Sequence, residues 1–448
     1  MATNIMPKNA RNRDAALFNA NNQFGGNFMT DRALSYIAYA HLGMIAIGGA
    51  ARYYLGLVGL LPLAYATNAL VVVAVVLWLV ISIGCLRIQK FEFVMIVSLT
   101  LSFGVAVCSN GKIMAVVFGV YLFTPFMLGV FSSRELLERL IDDSRFMLAI
   151  WVITLIGISW DKITAVPWSG FAFDVGNVQV AGSRDWSFEG VRRVAGFARS
   201  SFDASGFLLV SAICILSRNR KSSLFWILWL FTGIGIGMTT SKGMLLAYAL
   251  NSVVWLWMRT KARTWLAMLP IAVVLVLITM PMLPLITQFE LIRPGDISSS
   301  VFGSFFVRLV YTWPEAWELL FKAGNFISGA GVGSIGTPLM LFDPNSYNSA
   351  DNVFVYGVFI FGIAWLPFLV GFSIRAASNA KYVGVSPLST LCFQMSLAVL
   401  VYGITTNVVE LGPMSLVFGA LSRRYFSTDR VHYSYSNNVL GLSERSSI

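Results

Sequence analysis

Long, almost uninterrupted apolar runs recur along the chain and constrain its fold more than any other feature. They fall near 33–51, 63–86, 91–109, 113–131, 146–160, 200–216, 223–240, 243–258, 265–285, 352–374, 386–406 and 411–424. A helix of about 20 residues rises about 30 Å, the thickness of a bilayer core. A segment in lipid must satisfy its own backbone groups, so such runs are read as helices. Outer-membrane strands would instead alternate over about ten residues. Composition agrees: 57% of the 448 residues are hydrophobic and 12% are charged. A soluble fold has too few buried positions for that much apolar surface. The expected class is an all-α integral membrane protein of about twelve transmembrane helices. Residues 1–32 read as a cytoplasmic tail rather than a cleavable leader, 33–426 as the membrane domain and 427–448 as a second cytoplasmic tail. Nucleic-acid enzymes, secreted toxins and cytosolic dinucleotide-binding enzymes are excluded as classes.

The net charge of +11 is read as positive-inside bias, not nucleic-acid affinity. With the N-terminus in the cytoplasm, 11 of the 32 basic residues face outward: Arg52, Lys112, Lys162, Arg184, Arg192, Arg193, Arg199, Lys242, Arg293, Arg308 and Lys322. The rest face inward, which predicts both termini inside. Two outward segments are long, about 161–199 and 286–351. Long loops of a polytopic protein carry function. No inverted-repeat symmetry of the transporter kind is visible. Cys85, Cys108, Cys214 and Cys392 lie in or at the ends of apolar runs with no CxxC pair, and read as packing residues. His41 and His432 are the only histidines, so no histidine-based metal site or Ser-His-Asp triad is expected, and no metal or cofactor is inferred.

Four stretches can carry chemistry. In GSRDWSFEGVRRVAGFARSSFDASGF, Arg184, Arg192, Arg193 and Arg199 run against the topological bias. Arginine forks fit phosphate oxygens, although pairing with Asp185, Glu189 and Asp203 would also explain them. Lys242 in GMTTSKGMLLA interrupts two apolar runs, as a functional cation or as a snorkelling residue in a tight turn. Gly329, Gly331, Gly333 and Gly336 form a glycine-rich loop, able to cradle phosphate but more simply a flexible surface turn. Asp351 and Asn352 stand where the second loop enters a helix, and Asp351 reads as a cap or as a general base. Between them, TWPEAWELLFKAG predicts a helix capped by Thr312 with Pro314 in its first turn, an amphipathic interfacial helix or a lid.

In this order the stretches resemble the O-antigen polymerase and ligase superfamily. Arg193-Val-Ala-Gly196 is similar to its R-x-x-G segment, and Thr239 to Gly243 (TTSKG) to its T-x-S-R-G turn. Arg308 precedes the amphipathic helix, Gly329 to Ser334 resembles a GxGxGS turn, and Asp351-Asn352 with Gly362 resembles the closing H-N…G element. Lys242 stands at an Arg position, Trp365 at a Gly position and Asp351 at the ligases' His, so the likeness is greatest to Wzy-type polymerases. Arg308 with Gly324 resembles their R-x15-G element.

The resemblance implies a GT-C-like, metal-independent glycosyltransferase of the bacterial inner membrane. Its substrates would be undecaprenyl-diphosphate-linked repeat units in the outer leaflet, its neighbours membrane lipids, a flippase and a chain-length regulator, with no nucleic acid. A lipid diphosphate leaving group needs fixed cations. The implied diphosphate ligands are Arg192, Arg193, Arg199, Lys242 and Arg308, with Arg199 and Arg308 central to catalysis. Asp351 would serve the acceptor hydroxyl, and Trp186, Trp313 and Trp317 would stack on sugars. A ligase, a lipid-linked oligosaccharide flippase or other transporter, and a peptidoglycan-type SEDS polymerase are the competing expectations.

Overall fold

A computed structural model describes residues 32–85, 88–175, 178–188, 190–218, 224–258, 263–290 and 297–427. Nearly all of the expected tails, together with Glu189, Arg293 and His432, lie outside the described residues. The chain opens with α1 (Arg32–Ala46) and α2 (Gly48–Leu57), which meet at a bend of 76°. Next come α3 (Ala66–Gly84), α4 (Lys90–Asn110), α5 (Ile113–Leu122), α6 (Thr124–Asp142) and α7 (Ser144–Ile163). After the first long loop run α8 (Ser201–Arg218), α9 (Leu224–Met238), α10 (Lys242–Trp257) and α11 (Met268–Thr279). The second long loop holds α12 (Ile297–Val307), α13 (Trp313–Ala323) and α14 (Thr337–Phe342). The chain closes with α15 (Val353–Phe361), α16 (Trp365–Asn379), α17 (Pro387–Gly403) and α18 (Gly412–Phe426).

Within the described residues each expected apolar run lies mainly on helix. Among the described residues, seven helices are long and apolar enough to cross a membrane, or eight if α1 and α2 form one broken span. Two local readings need correction. The first run does not continue straight through residue 51. It breaks so that α2 can dock on the loop before α8, where the Gly49 amide donates to the Phe197 carbonyl at 2.9 Å. A side chain at Gly49 would collide with the Ala198 carbonyl. The fourth run matches the candidate span Ile113–Ser133, and α6 carries the helix on to Asp142. The fold is also not purely helical. The first loop makes two antiparallel hairpins: β1 (Ala172–Val175) with β2 (Val178–Ala181), and β3 (Trp186–Phe188) with β4 (Val191–Arg193).

The most enclosed helices are α8, α15, α17 and α18. Helices α6 and α18 touch backbone to backbone: a side chain at Gly129 would strike the Leu416 carbonyl, and one at Gly419 the Phe126 carbonyl. Small residues permit this approach where lipid supplies no hydrophobic drive between helices. Some buried hydroxyls are met within their own helix, as where Ser132, Ser396 and Ser422 donate to carbonyls one turn back, and others bridge helices, as where Ser133 donates to the Ala420 carbonyl.

Polar contacts sort the bundle into two ends. At one end Arg423 pairs with the buried Glu92 at 3.0 Å, and Arg218 reaches the Asp142 carbonyl. At the other, Arg52 reaches Gly182, Lys112 pairs with Asp343, and Thr337 holds Glu410. Both long loops fold over this second end.

Candidate functional site

The segment RRVAG is fastened before it can present anything. Asp161, 2% exposed in its side chain at the end of α7, accepts from the Ala195 and Gly196 amides at 2.9 and 3.0 Å and from Arg192 Nη2 at 2.6 Å. Gly196 has φ +61 and lies so close to α7 that a Cβ would strike the Gly157–Ile158 backbone. Trp168, buried, donates its indole N–H to the Gly196 carbonyl at 2.8 Å. Arg192 also pairs with Asp185 at 3.3 Å. The expectation that it binds diphosphate is therefore set aside: its guanidinium anchors the loop to α7.

The neighbouring arginines differ. Arg52, Arg184, Arg193 and Arg199 form no ion pair with any carboxylate among the described residues. Arg199 leads into α8, and its Nε is buried without a hydrogen-bond partner. Burial pushes its pKa down to about 10, and the charges of Arg184 and Arg52 act in the same direction against Asp203 and Tyr65. Arg52 projects from α2, donates to the Gly182 carbonyl at 3.2 Å and lies 5.1 Å from the Tyr65 ring centroid. Arg184 sits 5.1 Å over Trp186, and its amide donates to the Arg199 carbonyl at 2.9 Å. Burial holds Arg193 below the usual arginine range, with the charge of Arg308 adding to it. All four side chains are half-buried, and desolvated like charges are unfavourable unless opposite charge balances them.

The second loop brings the remaining pieces. Residues Ile297 to Ala323 form one continuous helical path, so Thr312 does not cap a new helix as expected. Pro314 has no N–H to donate one turn back, and the path passes through a π-turn at Arg308–Thr312, where the Trp313 amide reaches the Arg308 carbonyl. The turn begins at Arg308, whose Nη2 lies 3.0 Å from Asp351 Oδ2 and whose Nη1 donates to the Ser304 carbonyl at 2.7 Å. Asp351 has φ +42 and Ala350 has φ +59, backbone that L-residues enter only under constraint. Asn348 supplies it: its side chain donates to Thr312 O and Glu315 and accepts from the Ala350 amide, while Trp313 donates to Ala350 O.

Asp351 is not the helix cap. Asn352, fully buried, accepts from the Phe354 and Val355 amides and donates to the carbonyls of Leu277 and Ile404. The TTSKG turn closes the same face, with Thr240 at φ +56 and Gly243 against Thr405 and Tyr402. Lys242 begins α10 at the exposed surface.

The other expectations are redistributed. Trp313 and Trp317 are 0% and 1% exposed, with their indole N–H groups donated to Ala350 and Pro281 carbonyls. They are packing residues, and the sugar-stacking expectation for them is corrected. Trp186 is 42% exposed, with the Arg184 guanidinium over its ring and Phe202 at its edge. The glycine-rich stretch is neither a phosphate cradle nor a flexible surface loop. Gly331 and Gly333 are buried against α4 and α5, where a Cβ would strike Ala106 and Ala115.

Sequence reasoning passed over Arg52 and Glu410 as site residues. Arg52 was visible as an outward cation flanked by apolar runs. Glu410 is the one carboxylate within the apolar stretch 386–424, a position that calls for explanation in a membrane chain. It accepts from Thr337 N and Oγ1, and burial raises its pKa above the ordinary carboxylate value. Tyr347 feels both Asp351 and Glu410, and burial pushes its pKa up to about 12. The charges of Arg308 and Asp351 reach Arg193, those of Arg52, Arg184 and Asp203 reach Arg199, and those of Asp351, Glu410 and Arg184 reach Tyr347, so these groups share one end of the bundle. The described residues hold no group of three or more His, Cys, Asp or Glu side chains able to bind a metal. A scan against protein-family models and a search of curated proteins gave no match to this sequence.

Proposed function

We propose that this chain is a membrane polysaccharide polymerase that joins polyprenyl-diphosphate-linked repeat units at the outer face of a bacterial inner membrane. The observation that carries the reading is the set of four arginines without carboxylate partners among the described residues, gathered with the Arg308–Asp351 pair at one end of the bundle. In the proposed reaction the acceptor hydroxyl attacks the donor's anomeric carbon and the lipid diphosphate leaves. Arg52, Arg184, Arg193 and Arg199 neutralise the diphosphate, and Arg308, aimed by Asp351, follows the charge that grows on the leaving oxygen. Fixed guanidinium forks in a partly desolvated cleft are suited to this task, because no water need reorganise as the bond breaks. Trp186, 42% exposed, is the aromatic side chain proposed to meet a sugar ring.

Twelve spans, both termini in the cytoplasm and a GT-C-like arrangement belong to the same reading. Grouping of the outward cations at one end supports it over a flippase, whose charges would line the length of an inner passage. Asp351 at the ligases' His position supports polymerase over ligase. The test is purified protein in liposomes with one lipid-linked repeat unit. A ladder of products is expected. A single transfer to a different lipid would make it a ligase, and transbilayer movement without any product would make it a transporter.

A further inference from the structure

We propose that a cavity beneath the second loop is a sugar-binding subsite, holding one neutral ring of the glycan away from the bond being made. That the ring belongs to a polymer repeat rests on the polymerase reading. The cavity has a volume of about 220 Å³. On α13, Leu319, Lys322 and Ala323 recur one turn apart and present one face to it. Leu339 reaches it from α14, Phe359 from α15 and Lys112 from the residue before α5. Asp343 and Ser346 enter from the turn that follows α14.

The lining selects the ligand. Leu319, Ala323, Leu339 and Phe359 give it an apolar surface, while Lys112, Lys322, Asp343 and Ser346 give it donors and acceptors. Ser334 also lines it, with its hydroxyl donated to the Gly331 carbonyl. The charges cancel, because Lys112 pairs with Asp343 and Lys322 with Glu318. Such a cavity does not call for an anion, and a lipid chain would offer nothing to its polar groups. A pyranose ring meets both needs. Its C–H face lies against apolar side chains, and the hydroxyls at its edge accept from an ammonium and donate to a carboxylate. Both lysines are exposed, and exposed pairs are weak enough for a flexible ammonium to turn to a ligand. The volume falls below the roughly 300–1,000 Å³ of drug-sized pockets, which suits a single ring.

The two segments that wall the cavity also carry the Arg308–Asp351 pair. Arg308 and Lys322 lie on one helical path, and at about 1.5 Å per residue the cavity is roughly 15–20 Å along it from Arg308. The other segment runs from Asp343 and Ser346 to Asp351. Asn348 fastens it to the helical path midway, at the Thr312 carbonyl and the Glu315 carboxylate. A ring in the cavity is therefore several sugars removed from the bond made at Arg308. Contacts to a remote part of a substrate hold ground state and transition state alike, so their loss raises KM and spares kcat. Two glycans could supply the ring, the growing chain on the donor or the incoming unit on the acceptor.

The experiment uses purified protein and two probes, the lipid-linked repeat unit and the same oligosaccharide freed from its lipid by mild acid. Ala323→Trp fills the cavity from α13, and Ser346→Phe fills it from the opposite wall should the first variant fail to fold. Asp343→Asn removes the carboxylate with little change of shape. Free oligosaccharide at millimolar concentration should raise the melting temperature of wild type and of Arg199→Met, but not that of Ala323→Trp. In liposomes, a KM raised about tenfold by Ala323→Trp and Asp343→Asn in the first coupling of two single units, with kcat nearly unchanged, assigns the ring to the incoming unit; tenfold is the loss of one or two hydrogen bonds. A normal first coupling followed by shortened polymer assigns it to the growing chain. Melting of wild type unmoved by free oligosaccharide, or wild-type KM and chain length in both variants, overturns the subsite and leaves the polymerase reading standing. Wild-type protein that binds the oligosaccharide and makes no polymer overturns the polymerase reading and leaves the subsite standing.

Discussion

Arg308 Nη2 and Asp351 Oδ2 meet at 3.0 Å, and Asp351 makes this contact from a left-handed backbone with φ +42. The two residues enter from opposite ends of the second loop, Arg308 at a π-turn and Asp351 beside the cap of α15. Both local distortions lie at one ion pair. Such strain persists only where the surroundings over-determine it, and here Asn348 and Trp313 do so.

Asp351→Gly separates geometry from chemistry. Glycine accepts φ +42 without a Cβ clash, so the variant should melt at or above wild type. Polymer yield should fall at least about tenfold, because Arg308 loses its guide and its counter-charge. Arg308→Ala should remove polymer altogether at normal protein abundance, and Arg308→Lys should recover only part. Full-length polymer from Asp351→Gly would show that the pair does not serve the reaction.

Asn352 carries the opposite signature. It is buried, caps α15 and donates to two carbonyls from other segments. Asn352→Asp keeps the cap oxygen but replaces both donors with a buried charge. We expect a loss of about 3 kcal/mol or more and poor accumulation in the membrane. A stable Asn352→Asp protein, judged by melting in detergent, would contradict this account.

The neighbours Asp351 and Asn352 show where sequence reading stops. Spacing located both at the mouth of a helix, but both side chains can cap, so the choice required coordinates. The apolar runs were legible because each one alone must form helix in lipid. The bend between α1 and α2 was not, because it depends on a contact from Gly49 to Phe197 that is remote in sequence. Arg192 and Arg193 are adjacent and chemically equal, and only Asp161 on α7 separates their roles. The tryptophans of α13 have an amphipathic pattern that fits an interfacial helix, yet the covering partner is protein and not lipid.

Topology offers an independent test. In a background with Cys85 and Cys108 replaced, since both are exposed, single cysteines at Gln179 and Lys322 should react with an impermeant maleimide in intact cells. Cysteines at Asp142 and Ser378 should react only after permeabilisation. The ends sorted by the Lys112–Asp343 and Arg423–Glu92 pairs require the two sets to differ. Labelling of Lys322→Cys only after permeabilisation would put the arginine cleft on the cytoplasmic side.

Arg192 and Arg199 make the sharpest contrast, because one is paired with a buried carboxylate and the other has no such pair among the described residues. Arg192 ties β4 to the buried Asp161, whose second oxygen holds two amides. Arg192→Met leaves that carboxylate short of a donor, and we expect about 1–3 kcal/mol of destabilisation, with activity falling as the loop loosens. Among the described residues Arg199 has no carboxylate ion pair, and its charge is opposed by Arg184 and Arg52. Arg199→Met keeps the length of the side chain and removes a charge that the fold does not pair. The variant should melt at or above wild type in the absence of substrate, while polymer formation falls on the order of 100-fold. A lipid diphosphate should raise the melting temperature of wild type and of Arg192→Met but not that of Arg199→Met, since only a ligand that binds the folded site stabilises it. If Arg199→Met melts lower than wild type and still responds to lipid diphosphate, Arg199 is a structural cation and the anion is held by Arg52, Arg184 and Arg193 alone.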